Sequence, residues 1–189
     1  MPVHRYVSKR ERVVVTSQPS GRWRLSARER EALQLIASGM TPAQAAAEMG
    51  VGTSRVNDCV RFALVKLGSP ERPGAVHRAY MLREISPPEH TNDGADLVLS
   101  GGQHEVLRGL AGGQDLRWIA ANGRVHLDVV RRDVRSLMAL VGAKTAAHLI
   151  RRGWELGVLG PAPDEAPVSR RSGAQGELLM GLSQSAIHE

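Results

Sequence analysis

The sequence predicts an all-α protein made of two tandem four-helix units, and three observations lead there. Laying the chain on itself with a displacement of 74 residues brings "LSARERE" (25–31) onto "LSGGQHE" (99–105), Leu33 onto Leu107, Ala37 onto Ala111 and Gly39 onto Gly113. The register continues without a gap through Val56 on Val130, Val60 on Val134, Arg61 on Arg135 and Gly68 on Gly142, with about a quarter of roughly 55 positions identical, which marks an internal duplication. Within each repeat the apolar residues recur at helical spacing between cap and stop signals. No segment alternates well enough to be a core strand; "RVVVT" (12–16) is the one β-like run.

Taken in order, residues 1–24 form a flexible basic arm carrying a net +5, in which Arg5, Lys9, Arg10 and Arg12 suit phosphates or a minor groove. The first unit spans 25–85. Ser26 and Glu29 make a capping box, so the first helix runs from about Ala27 to Ser38 with Leu33, Ile36 and Ala37 inward, and Gly39 ends it. Thr41 caps the second helix, with Pro42 at its first position and Gln44 completing another box; that helix ends near Met49. A tight "GVG" (50–52) leads into a third helix over about 54–67, whose Val56, Val60, Ala63, Leu64 and Leu67 face a core. The fourth helix starts at Pro73 and stops before Pro87-Pro88. An acidic, turn-rich linker covers 86–98. The second unit, 99–159, repeats the order with helices at 101–112, 116–122, 128–141 and 145–157, and Trp118 and Trp154 are expected to fill its core. Residues 160–189 read as a flexible tail in which "GELLMGLSQSAI" suits a short partner helix.

Composition narrows the function. A net charge of +6 and a pI of about 10.4 favour a polyanionic partner. The N-terminus has no apolar segment of the secretory kind, and no run approaches the roughly 18 apolar residues that span a bilayer. A single cysteine, Cys59, excludes an internal disulfide, so the expected setting is the cytoplasm, in association with the nucleoid. "LSGGQ" at 99–103 is the signature of ABC-transporter ATPases, but the chain has no GxxxxGK[ST] phosphate loop; "VGAKT" (141–145) lacks the required glycines. The repeat explains it instead: Ser100 and Gln103 are the second unit's capping box. The seven histidines show no metal-ligand spacing, and nothing has the pattern of a catalytic triad or carboxylate pair. No cofactor and no enzymatic activity are expected.

The stretches "LSARERE", "LQLIASGMT", "AAAEMGV", "RVNDCV" and "KLGSPERPGAV" resemble the LuxR-type (GerE-like) helix-turn-helix DNA-binding domain over its full length. The first repeat departs from the family pattern at Ala45 (isoleucine), Arg55 (threonine) and Cys59 (histidine). The second, more divergent, has Gly102 and Gln103 for the Arg-Glu pair, Val129 for threonine and Asp133 for histidine. The resemblance implies a bacterial transcription regulator whose third helix in each unit enters the major groove of double-stranded DNA. It assigns DNA contact to Asn57, Asp58 and Arg61, with Arg55 and Lys66 near the helix ends, and to Arg131, Arg132 and Arg135 in the second unit. Helix geometry independently puts the last three on one face, opposite Val130, Val134 and Leu137. The alternative is a binding module that contacts RNA polymerase or another regulator. The family pairs through its fourth helix, which here allows either an internal pseudo-dimer, with Val76, Ala79, Tyr80 and Ile85 against Leu149, Ile150 and Leu156, or an ordinary homodimer.

Overall fold

A computed structural model of the chain describes residues 24–91 and 97–160; most of the basic arm, part of the linker, the "RVVVT" run and nearly all of the tail lie outside the described residues. Eight helices occur among them, with no strand: α1 (Ala27–Ala37), α2 (Pro42–Glu48), α3 (Thr53–Leu67), α4 (Arg72–Met81), α5 (Gly101–Ala111), α6 (Leu116–Asn122), α7 (Leu127–Leu140) and α8 (Ala146–Glu155). The bounds of α1, α2 and α4 recur 74 residues later in α5, α6 and α8, and α7 starts 74 residues after α3.

Local chemistry accounts for this periodicity. The N-cap residues fall in equivalent pairs: Ser26 and Ser100, Thr41 and Asp115, Gly52 and His126, Glu71 and Thr145. Ser26 and Ser100 each close a reciprocal capping box, with Glu29 and Gln103 respectively. The left-handed residues pair in the same way: Gly39 with Gly113, Gly50 with Arg124, Gly68 with Gly142 and Arg83 with Gly157. Even the tie between the third and fourth helices recurs, since Arg78 donates to the Leu67 carbonyl and Arg152 to the Val141 carbonyl, both at 2.9 Å. Loose carbonyls at the ends of α3 and α7 are thereby satisfied.

The buried residues form one contiguous cluster across both repeats. Within the first, α1 and α2 pack on α3 through Leu33, Ala37, Ala45, Val56 and Val60; within the second, α5 and α6 pack on α7 through Leu107, Leu110, Ile119, Val130 and Leu137. Between the repeats, α4 lies against α8, while α1 touches α8 and α5 touches α4. Those cross-contacts map onto each other under the same displacement, which is the contact pattern of a pseudo-two-fold axis running between α4 and α8. Tyr80 and Trp154, equivalent residues, meet there with ring centroids 5.3 Å apart.

The two tryptophans divide differently from the sequence expectation. Trp154 is buried, but at the contact between the repeats, where it touches α4 and not only its own unit. Trp118 is not in the core: it is 49% exposed, at the third position of α6, while its neighbours Ile119 and Ala120 turn inward. Its equivalent is Gln44, a capping-box residue, and a seven-residue helix has room for only one inward face.

Candidate nucleic-acid interface

On α3, burial of Val56, Cys59, Val60, Ala63 and Leu67 fixes the rotation of the helix, and the opposite side carries Arg55, Asn57, Arg61, Phe62 and Val65 in solvent. Asp58 is half-buried and accepts from Arg61 at 2.9 Å, while the Arg61 guanidinium also stacks 4.9 Å from the Phe62 ring centroid. This outward face therefore combines one amide, one tethered arginine, one further arginine at its N-terminal end and an apolar strip with Val65 at 75% exposure.

Lys66 is drawn away from that face. Its ammonium donates to Glu29 at 2.7 Å and to the Arg24 carbonyl at 3.4 Å, joining α3 to the first turn of α1. Burial works against ionisation of Glu29, but Lys66 and the Ser26 backbone and hydroxyl outweigh it and hold the carboxyl below its usual range. In the second repeat the pair is replaced by a neutral contact, Gln103 Nε2 donating to Ser136 Oγ at 3.2 Å.

On α7 the buried side is Val130 and Leu137, flanked by half-buried Leu127, Val134 and Met138, and Arg131, Arg132 and Arg135 are all exposed on the other. Arg131 donates to Asp128 at 3.0 Å and Arg132 to Asp133 at 3.5 Å; both contacts are between exposed groups or at long range and leave the guanidinium donors largely uncommitted. Arg135 forms no ion pair among the described residues.

The structure also answers why the second repeat reads "LSGGQ". A Cβ on Gly102 would lie 3.1 Å from Asp133 Oδ2, so the glycine admits the Asp133 carboxylate beside the N-terminus of α5, where free N–H groups favour negative charge. The equivalent pair in the first repeat is Arg28 and Cys59, which line a cleft of about 490 Å³ together with Ser26, Arg55 and Phe62. Arg28 was not among the residues expected to matter, and its position beside Arg55 depends on the packing of α1 on α3, which lies outside local sequence signals. Arg124, which the sequence reading did not single out, takes φ 52° in the turn before α7, where the first repeat has Gly50.

Among the described residues no three His, Cys, Asp or Glu side chains lie close enough to hold a metal ion, and no helix is long and apolar enough to cross a membrane. No family model, no curated protein and no solved structure matches the chain.

Proposed function

We propose that the chain is a sequence-specific DNA-binding transcription regulator built from two LuxR-type helix-turn-helix units, with α3 and α7 entering successive faces of the major groove. The observation that carries the reading is α7: an amphipathic helix, introduced by a tight left-handed turn, with three exposed arginines on the side opposite its buried Val130 and Leu137. Arginine donates bidentately to guanine O6 and N7 and also neutralises phosphate, so such a face suits guanine-containing duplex. On α3, Asn57 suits adenine, Arg61 suits guanine or phosphate, and Asp58 orients Arg61 or accepts from a cytosine amine. Arg28 and Arg55, beside the start of α1, add phosphate contacts that position without specifying.

Exposed Phe62 and Val65 favour a second reading, in which α3 meets RNA polymerase or another regulator through an apolar strip while α7 alone holds DNA. A mobility-shift titration on random genomic fragments, with and without competitor DNA and at several salt concentrations, tests both. The DNA reading expects salt-sensitive binding, each neutralised phosphate adding about 0.9 to the log–log slope. Binding that is absent at low salt, or indifferent to salt, rules it out. Binding that survives Asn57→Ala with Arg61→Ala unchanged, yet is lost with Arg131→Ala, favours the second reading.

A further inference from the structure

We infer that α4 and α8 are an internal pairing surface, complementary to each other and not to themselves, so that one chain binds a two-part, non-palindromic duplex as a monomer. The DNA part of this inference rests on the function proposed above; the pairing part does not. Equivalent residues touch only at a two-fold axis, and Tyr80 meets Trp154 in that way. Around the axis the off-centre contacts come in related pairs, Gly39 with His148 and Gly113 with Gly74, in which each member of one pair is the 74-residue equivalent of a member of the other.

The two sides have diverged into partners. Trp154 Nε1–H donates to His77 Nδ1 at 3.0 Å. The equivalent of His77 is Arg151, which carries donors only and is bound to Glu155 at 2.7 Å. Two α8 surfaces brought together would each bury an indole N–H facing Arg151 with no acceptor, whereas α4 supplies one. The flanks are closed by different means as well. A Cβ on Gly74 would lie 2.6 Å from the Gly113 backbone nitrogen, so backbone packs on backbone there. Across the axis, His148 Nδ1 lies 2.7 Å from where a Cβ on Gly39 would stand, and an imidazole fills the gap. An α8–α8 pair would lack the Gly74–Gly113 backbone contact, which only α4 supplies. Homodimerisation through this surface is therefore replaced by pairing within the chain. Because a two-fold relation inverts the two reading helices, the half-sites are inverted in direction; because Asn57, Asp58 and Arg61 differ from Arg131, Arg132 and Arg135, they are unlike in sequence.

Sedimentation velocity of the full chain, free of DNA and over a wide concentration range, tests the pairing. A compact species of 20.4 kDa is expected; a dimer, or an elongated monomer, overturns it. Selection from a random duplex library then tests the site, with a two-part sequence of unlike halves bound by one chain expected and a palindrome bound by two chains contrary to it. Recovery of no duplex overturns the DNA part alone, since the sedimentation result stands without it. Gly74→Val should lower affinity for the two-part site at least tenfold while leaving the isolated α7 half-site unchanged. His77→Leu, which removes only the acceptor and keeps the apolar volume, serves if Gly74→Val does not fold. Equal losses on whole site and half-site with either variant count against the coupling of the two halves.

Discussion

Arg124 holds φ at 52° in the turn between α6 and α7, where Gly50 holds 62° between α2 and α3. A side chain in the left-handed region costs about 1 kcal/mol, and the residue is exposed, so burial does not recover it. Arg124→Gly is therefore expected to raise stability by up to about 1 kcal/mol, less the entropy glycine adds to the unfolded chain. On the proposed DNA-binding function, with the Arg124 side chain beside α7 meeting a phosphate, it should also lower the log–log salt slope by about 0.9. Urea unfolding and a salt titration measure the two effects, and a variant no more stable than the parent would show that the strain is absent. The arginines of α7 make a second case. Arg131→Ala and Arg135→Ala should each weaken binding by about 1–3 kcal/mol, more than Arg55→Ala does, without loss of helicity, because the first two lie on the central outward face and Arg55 lies at the helix start. If the α7 variants bind like the parent while circular dichroism is unchanged, the second repeat does not read DNA.

At the scale of elements, the joint between α1 and α3 differs between the repeats, an ion pair in one and a neutral amide contact in the other. Glu29→Gln separates the two, since glutamine keeps the capping box, as Gln103 does, and discards only the charge. The Glu29 carboxyl titrates below its ordinary 4.5 in the folded chain, so its contribution is present above that value and fades as pH falls through the lowered one. The variant should be about 1–2 kcal/mol less stable at neutral pH and equal to the parent in acid, measured as urea midpoints against pH; a constant difference across that range would refute the pairing as its cause. This joint also marks the limit of what the sequence discloses. Helix limits were legible because caps act over three residues: Ser26 with Glu29, Thr41 with Gln44, Ser100 with Gln103. Positions tied across the chain were not, since Lys66 finds Glu29 37 residues away and His77 finds Trp154 77 residues away. Trp118 was misjudged for a related reason. On a seven-residue helix, periodicity cannot decide between adjacent bulky residues, and only the packing against α7 turns Ile119 inward.

The whole molecule depends on the surface between the repeats, and that surface contains two histidines whose Nδ1 atoms both serve as acceptors. His77 accepts from the Trp154 indole at 3.0 Å and His148 from the Lys144 backbone N–H at 3.1 Å. Each acceptor exists only in the neutral imidazole. Burial pushes both below the ordinary 6.5; for His148 the Glu155 carboxylate opposes the shift, and Arg151, Arg152 and Lys144 reinforce it. Tyr80, between them, is raised to about 12 by burial and stays neutral throughout. Glu155, bound by Arg151 and Arg152, is held below 4.5 against the cost of its burial and does not titrate in the same range. In the folded chain the histidines thus bind fewer protons than in the unfolded chain at pH values under 6.5, and the unfolded state gains stability as acid is added. Stability should be level above about pH 7 and should fall from 6.5 downward, above the range in which Glu29 and Glu155, held below 4.5, lose their charge. His77→Gln with His148→Asn keeps an acceptor oxygen near each donor and removes the titration. The double variant should match the parent near neutrality and lose most of the slope between 4.5 and 6.5, read as urea midpoints and, in a Trp23→Phe, Trp118→Phe background, as the emission of Trp154. A double variant that keeps the parent's slope in that window would move the acid sensitivity away from the α4–α8 contact and leave the union of the two repeats independent of pH.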